Sequence, residues 1–232
     1  GIDLAGEGGM VWFKNRDDSA DHDIYDSVRG VTKRLESNTN NAEATENTTQ
    51  DLTSFNSNGF SLGAAGWSQT NWPNKDIASW TFRKAKGFFD VVSWTGGGSS
   101  AARTLNHNIG SVPGCIIFKN IDTGGNWIVW HRELNATEYV IWNSTAVAAA
   151  DSNHSISNVT STQFTVGSDH GNNSNDFIAY VFAHNDASFG EGSDAPIIKC
   201  GSYWGNGSSQ FINLGFEPQW VMLKSYAGIS DD

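Results

Sequence analysis

The chain has 232 residues, 38% of them hydrophobic and 12% aromatic, with 10 Trp and 13 Phe but only 17% charged residues. That balance excludes a disordered chain, which is charge-rich and aromatic-poor, and supplies side chains enough for a sizeable packed core. The net charge of −11 repels phosphate backbones and no basic stripe interrupts it, so nucleic acid is not an expected partner.

No apolar run approaches the roughly 18 residues of a membrane-spanning helix, so membrane insertion is not expected. The opening Gly1-Ile2-Asp3-Leu4-Ala5-Gly6 has no basic region followed by an apolar one. It reads as an internal piece of a longer protein rather than a signal peptide. Cys115 and Cys200 are the only cysteines and lie far apart, a pattern of small buried hydrophobes rather than a disulfide framework or zinc site.

Taken in chain order, the strand signals are short β-branched and aromatic runs bounded by Gly, Asn, Asp or Pro. They fall at 11–15, 59–63, 76–82, 88–94, 115–119, 127–130, 139–142, 163–167 and 177–182, with a last one at 221–225. Trp80 and Phe82 alternate with Thr81, the period of a half-buried strand. Two stretches, 41–49 and 145–151, read instead as short helices.

Several of these blocks recur. Val11-Trp12-Phe13-Lys14-Asn15 returns as Ile116-Ile117-Phe118-Lys119-Asn120 and as Val221-Met222-Leu223-Lys224-Ser225, the lysines spaced by 105 residues. Asn108-Ile109-Gly110 through Pro113 matches Asn213-Leu214-Gly215 through Pro218 at the same offset. Tyr25 aligns with Trp130, Gly59–Gly63 with 163–167 at 104, Asp76–Phe82 with 176–182 at 100, and Ser93–Gly96 with 202–205 at 109. The offsets drift between strands, where insertions are tolerated.

The fold expected is therefore all-β, as tandem antiparallel β-sandwich repeats of about 105 residues. Residues 87–186 form a complete unit, and 1–86 a partial unit lacking its first strands. Residues 197–232 hold the first strands of a further unit, and we expect 197–225 to complete 1–86, within the chain or from a neighbouring subunit. An unfinished sandwich would otherwise leave an open edge.

The strings Val-Trp-Phe-Lys-Asn-Arg at 11–16, Tyr-Asp-Ser-Val-Arg-Gly-Val-Thr-Lys-Arg-Leu at 25–35 and Phe-Asn-Ser-Asn-Gly-Phe-Ser-Leu-Gly at 55–63 resemble one family. So do Phe-Phe-Asp-Val-Val-Ser-Trp-Thr-Gly at 88–96, His-Asn-Ile-Gly-Ser-Val-Pro-Gly at 107–114 and Tyr-Val-Phe-Ala-His-Asn at 180–185. Together they look like an uncharacterised repeat domain of marine bacteriophage virion proteins, of tail-fibre or structural type. The resemblance covers nearly the whole chain and carries no catalytic motif.

The residues themselves carry little chemistry. His22, His107, His131, His154, His170 and His184 show no HExxH or HxH spacing. His107 and His184 suit buried or turn-stabilising hydrogen bonds. Asp17, Asp18, Asp21 and Asp23 crowd one loop without the EF-hand pattern. Glu36, Glu133, Glu138 and Glu191 form no recurring carboxylate pair, Gly96-Gly97-Gly98 leads into a strand, and no G-x-S-x-G is present. Trp12, Trp80, Trp94, Trp130 and Trp220 belong to cores. Trp67 and Trp72 lie in a polar loop, 64–75, where they are candidate binding residues for a sugar face or a protein partner.

The reading that follows is a non-enzymatic virion structural protein on the extracellular phage particle: a tail fibre, appendage or capsid-decorating fibre. Its expected partners are copies of itself (a trimer being common for such proteins), other virion proteins and a host-surface glycan. No cofactor or metal is expected. The alternative is a glycan-binding adhesin module that recognises host-cell polysaccharide.

Overall fold

The computed structural model describes residues 1–68, 70–98, 101–171, 174–184 and 196–227. The aromatic and β-branched run Gly9–Asn15 (β1) pairs antiparallel with His22–Asp26 (β2) on one side and with Ile77–Arg83 (β7) on the other. Lys33–Glu36 (β3) joins β2, and the two-residue Ala44–Thr45 (β4) joins β3. The resulting sheet runs β4-β3-β2-β1-β7. Leu52–Asn56 (β5) and Gly59–Leu62 (β6) make a separate hairpin.

A larger set follows. Its strands are Phe89–Thr95 (β8), Arg103–Asn106 (β9), Cys115–Asn120 (β10), Ile128–His131 (β11), Glu138–Ile141 (β12) and Ala149–Ala150 (β13). Ile156–Ser157 (β14), Gln163–Val166 (β15), the single-turn helix Ser168–Gly171 (α1) and Asp176–Phe182 (β16) complete it. One sheet runs β13-β12-β11-β10-β16-β8 and a smaller one β14-β15-β9.

These sheets stack in four layers. Met10, Trp12, Ile24, Leu35 and Phe82 from the first sheet meet Val91, Ile117, Val129, Val140, Ile178, Tyr180 and Phe182 from the second in one central core. On the far side of the first sheet, Val11, Phe13 and Tyr25 pack with Leu52, and the half-buried Phe55 and Phe60 join them from the β5–β6 hairpin. On the far side of the second, Ile116, Phe118, Phe177, Ala179 and Val181 pack against Leu105, Ile156, Phe164 and Val166 of the small sheet. Alternation along each strand sends neighbours to opposite layers, and both layers are apolar. That is why Cys115–Phe118 and Phe177–Phe182 are buried throughout.

Polar ties cross the central core. The Trp127 indole N–H donates to the Glu36 carbonyl at 2.8 Å. Tyr180 donates to Asp26 Oδ2 at 2.8 Å, and that same oxygen pairs with Arg29 Nε at 2.6 Å. Arg29 also donates to Tyr180 Oη at 3.2 Å and pairs with Glu43 at 3.2 Å. Burial pulls the guanidinium towards neutrality, but the charge and hydrogen bond of Asp26, with Tyr180 and Glu43, together outweigh it and hold Arg29 protonated.

The two larger sheets share local geometry at an offset of 105 residues. Val11 faces Tyr25 across β1–β2, and Ile116 faces Trp130 across β10–β11. Lys14 Nζ donates to the Ala20 carbonyl and Lys119 Nζ to the Gly125 carbonyl, both at 2.7 Å. Asn15 Oδ1 accepts from the amides of Asp17 and Asp18, as Asn120 Oδ1 does from Asp122 and Thr123. Asp17 and Asp122 then each cap the start of the returning strand, accepting from the amides of Asp76 and Asp176 at 2.7 Å. Gly63 and Gly167 are alike in a further respect, since a Cβ at either would collide with a carbonyl, of Thr49 and of Asn153.

Two expectations need correction. The stretches 41–49 and 145–151 are not helical; each instead contributes a two-residue strand, β4 or β13, to a sheet margin. Residues 196–227 contain no strand, so the run 221–225 does not form one. Its side chains anchor the segment instead. Trp220 enters between the large sheets, with ring centroids 6.1 Å from Trp12 and 5.4 Å from Phe82, and Met222 packs beside it. The central core is shared, since strands from 1–86 and from 87–186 both contribute to it.

Candidate functional site

The loop after β6 is built on one buried carboxylate. Asp51 is fully buried in a left-handed conformation at φ 51°. Its Oδ1 accepts from Thr70 Oγ1 at 2.9 Å and from the Gly66 amide at 3.3 Å. Its backbone amide donates to the Ala64 carbonyl, and its own carbonyl accepts from Gly63, both within 2.9 Å. Gly66 is required by space, since a Cβ there would collide with the Asp51 carboxylate. Asn71 Nδ2 donates to the Gly63 carbonyl at 2.6 Å, and Trp72 Nε1 to that of Gly66 at 3.2 Å.

These bonds leave the two aromatic residues of the loop in different states. Trp72 is 40% exposed and tied by its indole N–H, whereas Trp67 is 86% exposed. The Trp67 ring is a free apolar face on a hydrogen-bonded loop, suited to stacking on a sugar ring or entering a partner's pocket. The five tryptophans expected in cores are packed: Trp12 and Trp94 are buried, and Trp80, Trp130 and Trp220 lie partly buried against the clusters.

Other sequence candidates are individually engaged. His107 Nε2 lies 3.1 Å from the Thr160 carbonyl, and His184 Nδ1 accepts from the Cys200 amide at 3.1 Å. The four clustered aspartates disperse: Asp17 caps Asp76, Asp18 pairs with Lys75 at 2.9 Å, Asp21 accepts from Asn38 and Asp23 pairs with Arg34. Among the described residues no group of three or more His, Cys, Asp or Glu is arranged to hold a metal ion. Glu191 lies outside the described residues. Both cysteines are free thiols, Cys115 buried and Cys200 partly so, and burial pushes the Cys200 thiol up to about 12.

The structure adds features that spacing did not reveal. His154 Nδ1 sits 2.9 Å from Asp169 and 3.3 Å from Asp151, with the His170 ring edge-on 5.2 Å away. Burial, then the His154 charge, depresses His170 to about 4. An open depression of about 600 Å³ lies between His22, Ser37 and Asn38 on one side and Trp142–Thr145 on the other. Much of its polar rim is already committed: Asn38 and Asn143 accept from backbone amides, and the Ser144 carbonyl accepts from Lys224. The space between the large sheets beside Trp220 is only about 10 Å³ and apolar, too small for a ligand.

Beyond the loop, the C-terminal segment is the second surface of note. Tyr203, Trp204, Phe211, Ile212, Val221 and Leu223 are 41–88% exposed along it. Its anchors are Trp220, the Tyr226 carbonyl accepting from Ala148, and Lys224 on Ser144.

Fold and surfaces together define a layered antiparallel β protein whose distinctive surfaces are aromatic and apolar. The chain belongs to a domain family of unknown function, DUF7483, whose model matches residues 3–231 in a single span through both sheet systems and the C-terminal segment. No curated protein and no solved structure matches it.

Proposed function

We propose that the chain is a non-enzymatic structural protein of a bacteriophage particle, a tail fibre, appendage or capsid-decorating fibre that works by assembling with copies of itself and other virion proteins. We read its two sheet systems as copies of one module. The observation that carries the assembly reading is the C-terminal segment, where six large apolar side chains stand in solvent. A run of that kind marks an interaction surface. The virion assignment rests on the resemblance of residues 11–185 to phage virion repeat domains. The test is to raise antibody to the chain and image it on intact particles with gold label. Labelling confined to the particle supports the reading; absence of the chain from purified particles overturns it.

A second reading is favoured by one observation, the exposure of Trp67 above the Asp51-built loop. In it the protein also binds host-surface glycan, with Trp67 as the stacking face and Trp72 beside it. A glycan array comparing the native chain with Trp67→Ala decides this. Equal signals, or none from either protein, remove the glycan role.

A further inference from the structure

The two large sheets differ at one edge. In the second, β16 is flanked by β10 and β8. In the first, the corresponding strand β7 is flanked by β1 alone, and along residues 77–82 its other edge has no strand partner among the described residues. A strand edge left this way is a template for another strand.

We infer that this edge is filled by residues 198–204 of a second copy of the chain, added antiparallel to β7. This deepens the assembly reading above by naming the partner and the register. Three observations converge on it. First, Ser202–Gly205 matches Ser93–Gly96, the end of the strand that fills this position in the second sheet. Second, the segment already alternates as a strand does: Ile198 and Cys200 turn inward while Ile197 and Lys199 are exposed. Third, Tyr203 and Trp204 are 47% and 76% exposed, with no apolar layer of their own chain to enter.

The register follows from the pairing of β16 with β8, where Phe182 faces Phe89, Tyr180 faces Val91, Ile178 faces Ser93 and Phe177 faces Trp94. Shifting β16 onto β7 by 100 residues and β8 onto the segment by 109 sets Phe82 against Ile198 and Trp80 against Cys200. It also sets Ala78 against Ser202 and Ile77 against Tyr203. The side chains agree with this register. Phe82 and Trp80 point into the central core, as Ile198 and Cys200 would, while Ile77 and Tyr203 fall on the outer face. There they repeat the stacking of Phe177 on Trp94, whose rings lie 5.1 Å apart.

In its own chain the segment is held lightly at this point. The Cys200 amide donates to His184 Nδ1, its thiol lies 3.5 Å from the Ala183 carbonyl, and Ile198 packs on the core. Exchange gives up those contacts for a ladder about seven residues long.

The register is tested by cysteine trapping. Two full-length proteins, one carrying Ala78→Cys and the other Ser202→Cys, both with Cys200→Ala, are mixed and oxidised at about 0.15 M salt, where the like charge of the copies is screened. Facing residues of antiparallel strands lie within disulfide reach. The expected result is a mixed-chain disulfide joining positions 78 and 202, formed at least fivefold more than in a Ser79→Cys control mixed with the same partner. In the otherwise native chain, Ser202→Pro, at an exposed position, should weaken self-association at least tenfold by sedimentation equilibrium without moving the melting temperature. A monomer at all concentrations with no mixed disulfide overturns the inference. So does a disulfide found only within one chain carrying both cysteines, which would make the segment its own chain's strand. Because these readouts use purified protein, they stand or fall apart from the particle labelling.

Discussion

The second sheet system is closed where the first is open. Its central strand β16 has neighbours on both sides, and its outer layer is a three-stranded sheet. Among the described residues, the first has β7 at its margin and the β5–β6 hairpin alone as an outer sheet. The cores reflect this: among the described residues, thirteen buried ones form the cluster between the second sheet and its cover, and five that between the first sheet and the hairpin. Local register is nearly the same in both, from the lysine-to-carbonyl bonds to the aspartate caps. The lesson is that equivalent strand geometry does not ensure equal closure. What the first system lacks in apolar cover it replaces with the shared central core and with buried ion pairs, Arg29 with Asp26 and Arg34 with Asp23 and Glu46.

That contrast can be broken most forcefully at Arg29. Arg29→Ala leaves the buried Asp26 without its guanidinium, while Glu43 keeps Lys33, and urea unfolding should show a loss of about 3–5 kcal/mol. A loss below about 1 kcal/mol would mean that the ion pairs do not compensate for the thin cover. Next is Trp220→Ala, which leaves a cavity between the large sheets and removes one anchor of the C-terminal segment. A loss of about 3 kcal/mol is expected, in one cooperative transition if the shared core couples both systems.

A third test lies in the closed system. His170 packs edge-on against Phe118 at 4.8 Å, and its Nε2 is buried without a hydrogen-bond partner among the described residues. Its pKa is depressed to about 4 from 6.5. Between those values the unfolded chain takes up a proton that the folded one refuses, so stability falls as pH drops from about 6.5 to 4. The loss is about 2 kcal/mol after allowing for solvent screening. Thermal melts of His170→Phe should lose that share of the acid sensitivity.

Smaller still, amides of β5 and β6 should exchange with solvent about tenfold faster than those of β9 and β15, an opening free energy lower by about 1.4 kcal/mol. Equal protection would show that the hairpin is held by something other than its apolar contacts. Smallest is Trp67→Ala, expected to change stability by less than about 0.5 kcal/mol.

Much of this architecture was legible in the residues. The strands at 115–119 and 177–182 were plain from β-branched and aromatic runs, and the match of Tyr25 with Trp130 is the pairing register seen across β1–β2 and β10–β11. The four-layer stacking was not read, although its signal was present. Cys115–Phe118 is apolar at every position, as a strand buried on both faces must be. The Ala- and Thr-containing stretches around β4 and β13 misled because two-residue strands owe their form to neighbours β3 and β12, not to local preference. The polar loop around Trp67 left both exposure and packing open, and the structure leaves it 86% exposed. The role of Asp51 did not, since nothing in its neighbours announces a buried carboxylate.

The edge of β7, open among the described residues, and the exposed stretch at 201–204 are two different surfaces on one molecule. If they join between copies as inferred, each chain has one plug and one socket, and a twofold pair satisfies both only by reciprocal exchange. Where the exchange is not reciprocal, growth from such units would have a direction: each added copy would leave one plug and one socket exposed, as in a bifunctional monomer. The angle between successive copies would then separate a small ring, if the rotation closes, from a polar filament, if it does not.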